Sequence, residues 1–534
     1  MLTITSTWFV FLLLFIIVVY YSVPCRYQWI TLLVSSLVIY FIWNRYAIVY
    51  ILISSMTTYW STKLITRGQN SAKSNIANNK DILSKDDIAK IKITVNKRNK
   101  VCLVIGLTIN FGFLFFFKYF SFLLHNICYA IGELPIIEYA DTFWGEVVIP
   151  LGISFYTFQL VGYLLDVYWG YYDYEKNYFR LLLFASFFPQ ITQGPISSYE
   201  LLSAELFAEH HFSYDCYARG MWRLMWGLAK KMVIADSLSP IVTDIFHNYS
   251  TYSGLTVCVG AFLYTIQIYM DFSGYMDIMC GFCKTLGISL TENFDTPYFS
   301  KSIAEYWRRW HISLGEWFKK YIYYPVATSK NSRKLSRLLS RWFDRNIVNN
   351  IPATLALIVT WLATGLWHGA SWAYIVWGGV NGLFIIFALW LEPSAIRLRG
   401  VLKIKSDNIF WSIVAMIRTF ILVTLIKVFP EVGDLKDGLL YWKRIFYGSY
   451  SIEALHELRS VVSFEISFAK FIIPVLLVIV FFCSYLKYNG KMTDIKLEKF
   501  NILFRVATMI ILILIIVIVG IPASSESVFM YARF

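Results

Sequence analysis

Long apolar runs separated by short polar breaks fill most of the chain. Trp8 to Val19, Ile472 to Phe482 and Ile510 to Ile521 carry no charged residue. About 20 apolar residues cross a bilayer core as helix. Helix satisfies its own backbone there, whereas an open sheet edge finds no partner in lipid. The pattern predicts apolar helices at 6–22, 28–44, 46–60, 101–124, 145–168, 180–195, 219–238, 254–275, 352–368, 372–391, 409–429, 467–486 and 502–522. Some of these are too short or too polar to cross fully and read as buried or re-entrant. The expected fold class is all-α, a polytopic membrane protein with about 11–13 spanning or re-entrant helices. With no soluble block and no internal repeat, residues 1–534 read as a single transmembrane domain.

Two stretches interrupt this pattern. Residues 61–100 are rich in Lys and Asn, from Lys63 to Lys100, and read as a flexible, basic cytoplasmic loop. Residues 296–350 mix Trp and Tyr with Arg308, Arg309, Lys319, Lys320, Arg333, Lys334, Arg337 and Arg341, which suggests amphipathic helices in the cytoplasmic interface. Basic loops also set the orientation. Arg397, Arg399, Lys403 and Lys405 mark the side before residue 409 as inside, and Lys487, Lys491, Lys496 and Lys499 mark the side before the last run as inside. The tail at 523–534 is then outside. Counting back from the basic loop at 61–100 puts the N-terminus outside as well. Two outer ends need an even number of crossings, so at least one segment between 101 and 275 should not cross. The first run has no basic residues before it and no cleavage site after it, and is expected to be a retained span.

Composition agrees. The chain is 57% hydrophobic and 15% charged, with mean hydropathy +0.56, against about a quarter charged in soluble domains. Its 19% aromatic content suits interfacial Trp and Tyr, or bulky packing around an internal cavity. The net charge of +14 would suggest nucleic acid for a soluble chain, but here the basic residues sit in loops and positive-inside topology explains them more simply. Of eight cysteines only Cys280 and Cys283 form a C-x-x-C pair, with no second pair to complete a zinc site. They read as packing residues.

Three segments carry candidate chemistry. His368, within Trp367-His368-Gly369-Ala370-Ser371-Trp372, lies between two apolar runs. An ionisable residue at that depth usually faces a cavity, and imidazole is suited to moving protons near neutral pH. The alternative is a core histidine bonded to a carbonyl. Gly365 and Gly369 bracket it and would admit close approach of backbone or substrate. In Tyr306 to Leu314, His311 follows Arg308 and Arg309 at the expected interface. These residues could hold an anionic acyl donor, or anchor lipid phosphates. In Gln267 to Asp277, Asp271 and Asp277 need partners or water within a span, for catalysis or for helix packing. The pair His210 and Asp215 lies in a polar stretch where chance explains it. No Walker loop, dinucleotide fingerprint or G-x-S-x-G elbow occurs.

Gln267 to Asp277, Tyr306 to Leu314 and Thr364 to Trp372, with Pro150 to Gln159 and Pro189 to Pro195, closely resemble the membrane-bound O-acyltransferase family. The branch they resemble is the membrane subunit of alginate O-acetyltransferase, over about residues 100–534. The resemblance implies helices around a central tunnel or funnel. It maps the family's buried catalytic histidine onto His368 and its second histidine onto His311. On the residues themselves, Arg308 and Arg309 are expected to be acyl-donor contacts, and Asp271 and Asp277 structural or electrostatic support. Phe529-Met-Tyr531-Ala-Arg-Phe534 resembles the F-x-Y-x-x-F ending of related systems, which makes Tyr531 a candidate acyl relay, with an aromatic interface anchor as the alternative. The implied donor substrate is acetyl-CoA, with no bound cofactor or metal. The implied partners are an extracytoplasmic SGNH-like transferase and a polysaccharide acceptor, at a multi-pass site in a bacterial plasma membrane. D-alanyl transfer to teichoic acid keeps the chemistry and changes the donor. A non-catalytic polysaccharide transporter is the reading of a different class.

Overall fold

The computed structural model describes residues 6–132, 149–342, 345–402, 408–462, 469–491 and 501–520. Among them the architecture is all-α. The only extended pairing described is an isolated antiparallel bridge between Phe294 and Trp310. Among the described residues, eight helices are long and apolar enough to cross a membrane: Cys25–Trp43, Lys85–Ile131, Gly254–Thr285, Val348–His368, Trp372–Val401, Ile409–Val432, Ala469–Tyr488 and Ile502–Gly520. Thr7–Ser22 is apolar but shorter. No described helix between Gly132 and Gly254 meets both criteria. The chain is a multi-pass membrane protein. Backbone contacts divide the expected single domain into two compact units, Met1–Tyr217 with Cys283–Leu290, and Ala218–Phe282 with Thr291–Phe534.

In the first unit, residues 61–100 are not the flexible loop their composition suggests. They form the facing ends of two helices, Ile48–Asn78 and Lys85–Leu114. Lys, Ala and Gln are good helix formers. Ser84 and Asp87 form a capping box that starts the second helix. Polar groups then pair across the hairpin: Arg98 Nη2 donates to the Leu64 carbonyl at 3.1 Å and Asn110 Nδ2 to Thr58 Oγ1 at 3.0 Å. A composition rule for disorder misses helices that start from a capping box and are joined across the hairpin.

The Ile153–Trp169 helix begins at Gly152, whose φ of +71° and approach to the Ile191 carbonyl leave no room for a side chain. Within it, Gln159 Nε2 donates to Gln190 Oε1 at 2.9 Å, and Gln190 Nε2 donates to Ser197 Oγ at 2.9 Å. The two glutamine-bearing motifs at 150–159 and 189–195 therefore meet through one buried amide chain.

In the second unit the Gly254–Thr285 helix packs against a helical run made of Tyr214–Leu228, a π-helical segment Ala229–Ala235 and Asp236–His247. Gly227 and Gly274 let the two backbones touch, since a Cβ on Gly227 would fall 2.6 Å from the Gly274 carbonyl oxygen. A second close pair is the hairpin of Arg345–His368 and Trp372–Val401. Here a Cβ on Gly365 would meet the Tyr374 carbonyl at 2.4 Å, and one on Gly378 the Trp361 carbonyl at 2.4 Å. The glycines near His368 thus serve helix packing, with Tyr374 filling the space beside Gly369.

The stretch at 296–350 also differs from a uniformly interfacial ribbon. Tyr306, Trp310 and His311 are buried, whereas most of Lys330–Leu339 is exposed. Aromatic residues beside arginine signal an interface in sequence, but a short helix Ile303–Arg309 followed by a sharp turn leaves Trp310 and His311 buried.

Candidate active site

Two hydrogen-bonded stretches position His311. Asp295 N donates to the Arg309 carbonyl at 2.9 Å, and Ile312 N to the Asn293 carbonyl at 3.1 Å. Asn293 Oδ1 accepts from Ser313 N at 3.0 Å and from Ser313 Oγ at 2.7 Å. Between these clamps His311 adopts φ 50° and ψ 52°, the left-handed region. A non-glycine residue there costs on the order of 1–3 kcal/mol, and the surrounding bonds hold it. The turn points the ring into the second unit, with Phe272 at 4.9 Å, Trp367 at 6.1 Å and His368 at 6.5 Å between ring centroids. His311 is outside the membrane-length helices, and burial pushes its imidazole down to about 3, so it is neutral near pH 7.

His368 is the last residue of the Arg345–His368 helix and is 5% exposed. Its ring meets Trp367 at 5.0 Å and Trp377 at 4.9 Å, both nearly edge-on. Trp307 completes the indole wall against Trp361 at 5.1 Å and Trp377 at 5.4 Å. Its Nε1 donates to Asn381 Oδ1 at 2.9 Å, and Asn381 Nδ2 to the Trp377 carbonyl at 2.8 Å. The 307–311 segment and His368, separate in sequence, thus share one aromatic enclosure. Two imidazoles with rings inclined by 76° can share the handling of a proton and the orientation of a reacting group.

The remaining candidates fall elsewhere. Arg308 is exposed. Arg309 is engaged with the loop that clamps His311: Nε donates to Glu305 Oε1 at 3.1 Å, and Nη1 to the Asp295 carbonyl and Thr296 Oγ1 at 3.2 Å each. Asp271 accepts from Lys231 Nζ at 2.6 Å, and the same ammonium reaches Asp236 at 2.6 Å. Asp277 accepts from Lys230 at 2.5 Å and from Arg223 Nε at 2.9 Å. Both aspartates bind the Gly254–Thr285 helix to the run beside it. His210 is bonded to the Glu205 carbonyl at 2.8 Å, a local tie in the first unit. Tyr531 and the rest of the 523–534 tail lie outside the described residues.

Sequence reasoning missed Lys427. It lies in the Ile409–Val432 helix, 5% exposed. Its ammonium sits 4.0 Å from the Trp310 ring, 5.5 Å from Tyr298 and 5.6 Å from Tyr306, with the Tyr298 hydroxyl at 3.4 Å. A lone lysine in an apolar run was the available signal, diluted by averaging hydropathy over the window. Trp377 and Asn381 were missed because neither residue type is conspicuous in a span.

Comparison with known proteins gives the family. A family model described as MBOAT, membrane-bound O-acyltransferase family, matches residues 174–341, which include His311. A protein named "Probable alginate O-acetylase AlgI" from Azotobacter vinelandii is 31% identical over 410 residues, 76% of this chain and 73% of its own. The chain belongs to the membrane-bound O-acyltransferase family. It is an O-acyltransferase of a bacterial membrane. It is similar also to a peptidoglycan O-acetyltransferase from Helicobacter pylori, 27% identical over 82% of this chain and 83% of that one. A teichoic acid D-alanyltransferase from Streptococcus thermophilus is 26% identical over 52% of this chain and 66% of its own.

Proposed function

We propose that the protein moves an acetyl group from cytoplasmic acetyl-CoA towards an extracytoplasmic polysaccharide, with His368 as the general base. The observation that carries this reading is the pairing of His368 with His311 inside one indole-walled enclosure. His368 removes the proton of the acceptor hydroxyl as its oxygen attacks the thioester carbonyl. The C–S bond breaks and the thiolate leaves, taking up a proton. Such help is worth about 10²- to 10⁴-fold. His311, neutral and held by its strained backbone, orients the thioester. Arg308, at the exposed end of its helix, meets the anionic part of the donor, whereas Arg309 acts by holding the 293–296 loop. Asp271 and Asp277 keep the supporting helices in register.

The acetyl reading rests on the names of the alginate and peptidoglycan relatives, and the D-alanyl relative supplies the alternative donor. Tyr531 is the proposed acceptor hydroxyl and relay, on a tail that basic loops orient outward. A separate SGNH-like transferase then passes the group to the glycan. The basic ends of the Ile48–Asn78 and Lys85–Leu114 helices face the cytoplasm in this arrangement.

Incubating the purified chain with labelled acetyl-CoA and with labelled D-alanyl carrier protein separates the two donors. Acetyl transfer should fall at least about 100-fold in His368→Ala, while His311→Ala should raise the donor KM more than it lowers kcat. Near-normal turnover by His368→Ala would remove the central assignment.

A further inference from the structure

The Lys330–Leu339 helix has three distinct faces. Lys330, Arg333, Lys334 and Arg337 follow the 0, 3, 4, 7 spacing of one helical face, and all four are exposed. Leu335, Leu338 and Leu339 lie on another face, Trp342 follows just past the end of the helix, and Leu338 and Trp342 are 57% and 80% exposed. The third face ties the helix to the body of its unit. Ser332 Oγ donates to the Val326 carbonyl at 2.6 Å, and Ser336 Oγ to the Val348 carbonyl at 2.9 Å. From Trp317 to Phe343 the sequence has no Asp or Glu.

Beside this helix is a cavity of about 490 Å³. Ile322, Val326, Leu355 and Val359 give it apolar walls, and Ser329 and Asn331 are polar groups in its lining. Leu355 and Val359 belong to the membrane-length helix that begins at Val348. At 1.5 Å per residue they lie roughly 10 and 16 Å along it, the depth of one leaflet of a core about 30 Å thick. The apolar wall thus follows a membrane-length helix, and the basic helix lies near its start.

We propose that this cavity and the basic helix bind one anionic phospholipid. An acyl chain lies along Ile322, Val326, Leu355 and Val359. The phosphate meets Ser329 and Asn331, with Lys330 and Arg333 beside it. Leu338 and Trp342 enter the surrounding bilayer. An acidic protein would satisfy the basic face equally well, but it would leave the leucine and tryptophan face in water and the apolar cavity unused. A lipid satisfies all three features together.

The test uses the full chain in nanodiscs of phosphatidylcholine with or without phosphatidylglycerol, and native mass spectrometry to count the lipids retained. The wild type should retain phosphatidylglycerol over phosphatidylcholine by about tenfold or more. The triple substitution Arg333→Gln, Lys334→Gln, Arg337→Gln should bring the ratio near one. Val359→Trp, which fills the cavity and leaves the basic face intact, should also reduce retention. A matched triple, Lys90→Gln, Lys92→Gln, Lys97→Gln, lowers net charge equally in the other unit and should leave the ratio unchanged. An equal loss in that control would show bilayer charge alone and overturn the site. So would a wild type without preference, or a basic face that captures an acidic carrier protein while showing no lipid preference. The readout does not use acyl transfer, so it stands or fails apart from the catalytic assignment.

Discussion

Gly378→Ala is a demanding test of how the proposed active enclosure is built. The added Cβ would lie 2.4 Å from the Trp361 carbonyl oxygen and within 3.0 Å of the Gly365 backbone. Ordinary contact starts near 3.4 Å, so the Arg345–His368 and Trp372–Val401 helices must part by about 1 Å. Overpacking of this kind costs about 1–3 kcal/mol, against a helix-propensity gain of roughly 1 kcal/mol for replacing glycine. The neighbouring residue is Trp377, which stands against both His368 and Trp307. A displacement of about 1 Å at reacting groups can cost about 10²-fold in rate. The expected result is therefore a modest fall in melting temperature with a much larger fall in acyl transfer. Gly379→Ala is the internal control, because its Cβ would meet only Leu362 Cδ2 at 3.8 Å. It should match or slightly exceed wild-type stability with normal turnover. Thermal unfolding in detergent and labelled acetyl transfer, measured on both variants, decide the matter. A Gly378→Ala protein with wild-type turnover and melting would refute the view that this glycine contact sets the position of the site.

Three further outcomes follow from other parts of the chain. Lys427→Met removes a cation–π contact worth about 2 kcal/mol when desolvated, but also the cost of burying a cation. Melting should hold or rise while kcat falls as Trp310 and His311 loosen, and unchanged kcat would sink that role. Glu457 accepts from Ser253 N, Ser253 Oγ and Thr256 Oγ1 at 2.9, 2.8 and 2.7 Å, tying the Ile452–Val461 helix to the start of Gly254–Thr285. Burial pushes its carboxyl up, but these hydrogen bonds and Arg444 outweigh burial and hold it below its ordinary value. The tie is then complete above an unfolded pKa of about 4.3 and lost as pH falls through the lower folded pKa. The melting difference between wild type and Glu457→Gln should be largest near pH 7 and close towards acid, and a pH-independent difference would contradict it. Tyr531→Phe should keep donor binding and stop delivery to an outer acceptor, with an acetylated C-terminal peptide seen by mass spectrometry only in the wild type. Full glycan acetylation by the mutant would leave His368 delivering directly.

Long apolar runs made the helical class readable, because lipid permits few backbone arrangements. His368 stands out in the sequence as an ionisable residue between two apolar runs, and the structure sets it against Trp367 and Trp377. Where sequence reading went astray, the cause was local. Residues 61–100 look disordered one residue at a time, yet they continue two long helices, with Arg98 donating across to the Leu64 carbonyl. His311 seems to sit at a surface because Arg308 precedes it, but the left-handed turn sends the two in different directions. Lys427 contacts aromatic rings brought in from residues 298–310, more than a hundred positions away. That contact leaves no local pattern.

The π-helical segment Ala229–Ala235 has a consequence for how the chain can vary. A wider turn holds one more residue than an α-turn, like an insertion retained in the helix. It lets adjacent lysines reach the same neighbouring helix, Lys230 to Asp277 and Lys231 to Asp271, two carboxylates six positions apart. Deleting a single residue here would close the wide turn into an ordinary α-turn and remove the geometry that lets both lysines reach that helix. Breaking even one buried pair costs about 3–5 kcal/mol. This short stretch works as a length gauge: both the number of its residues and the two lysines are fixed by the carboxylates opposite.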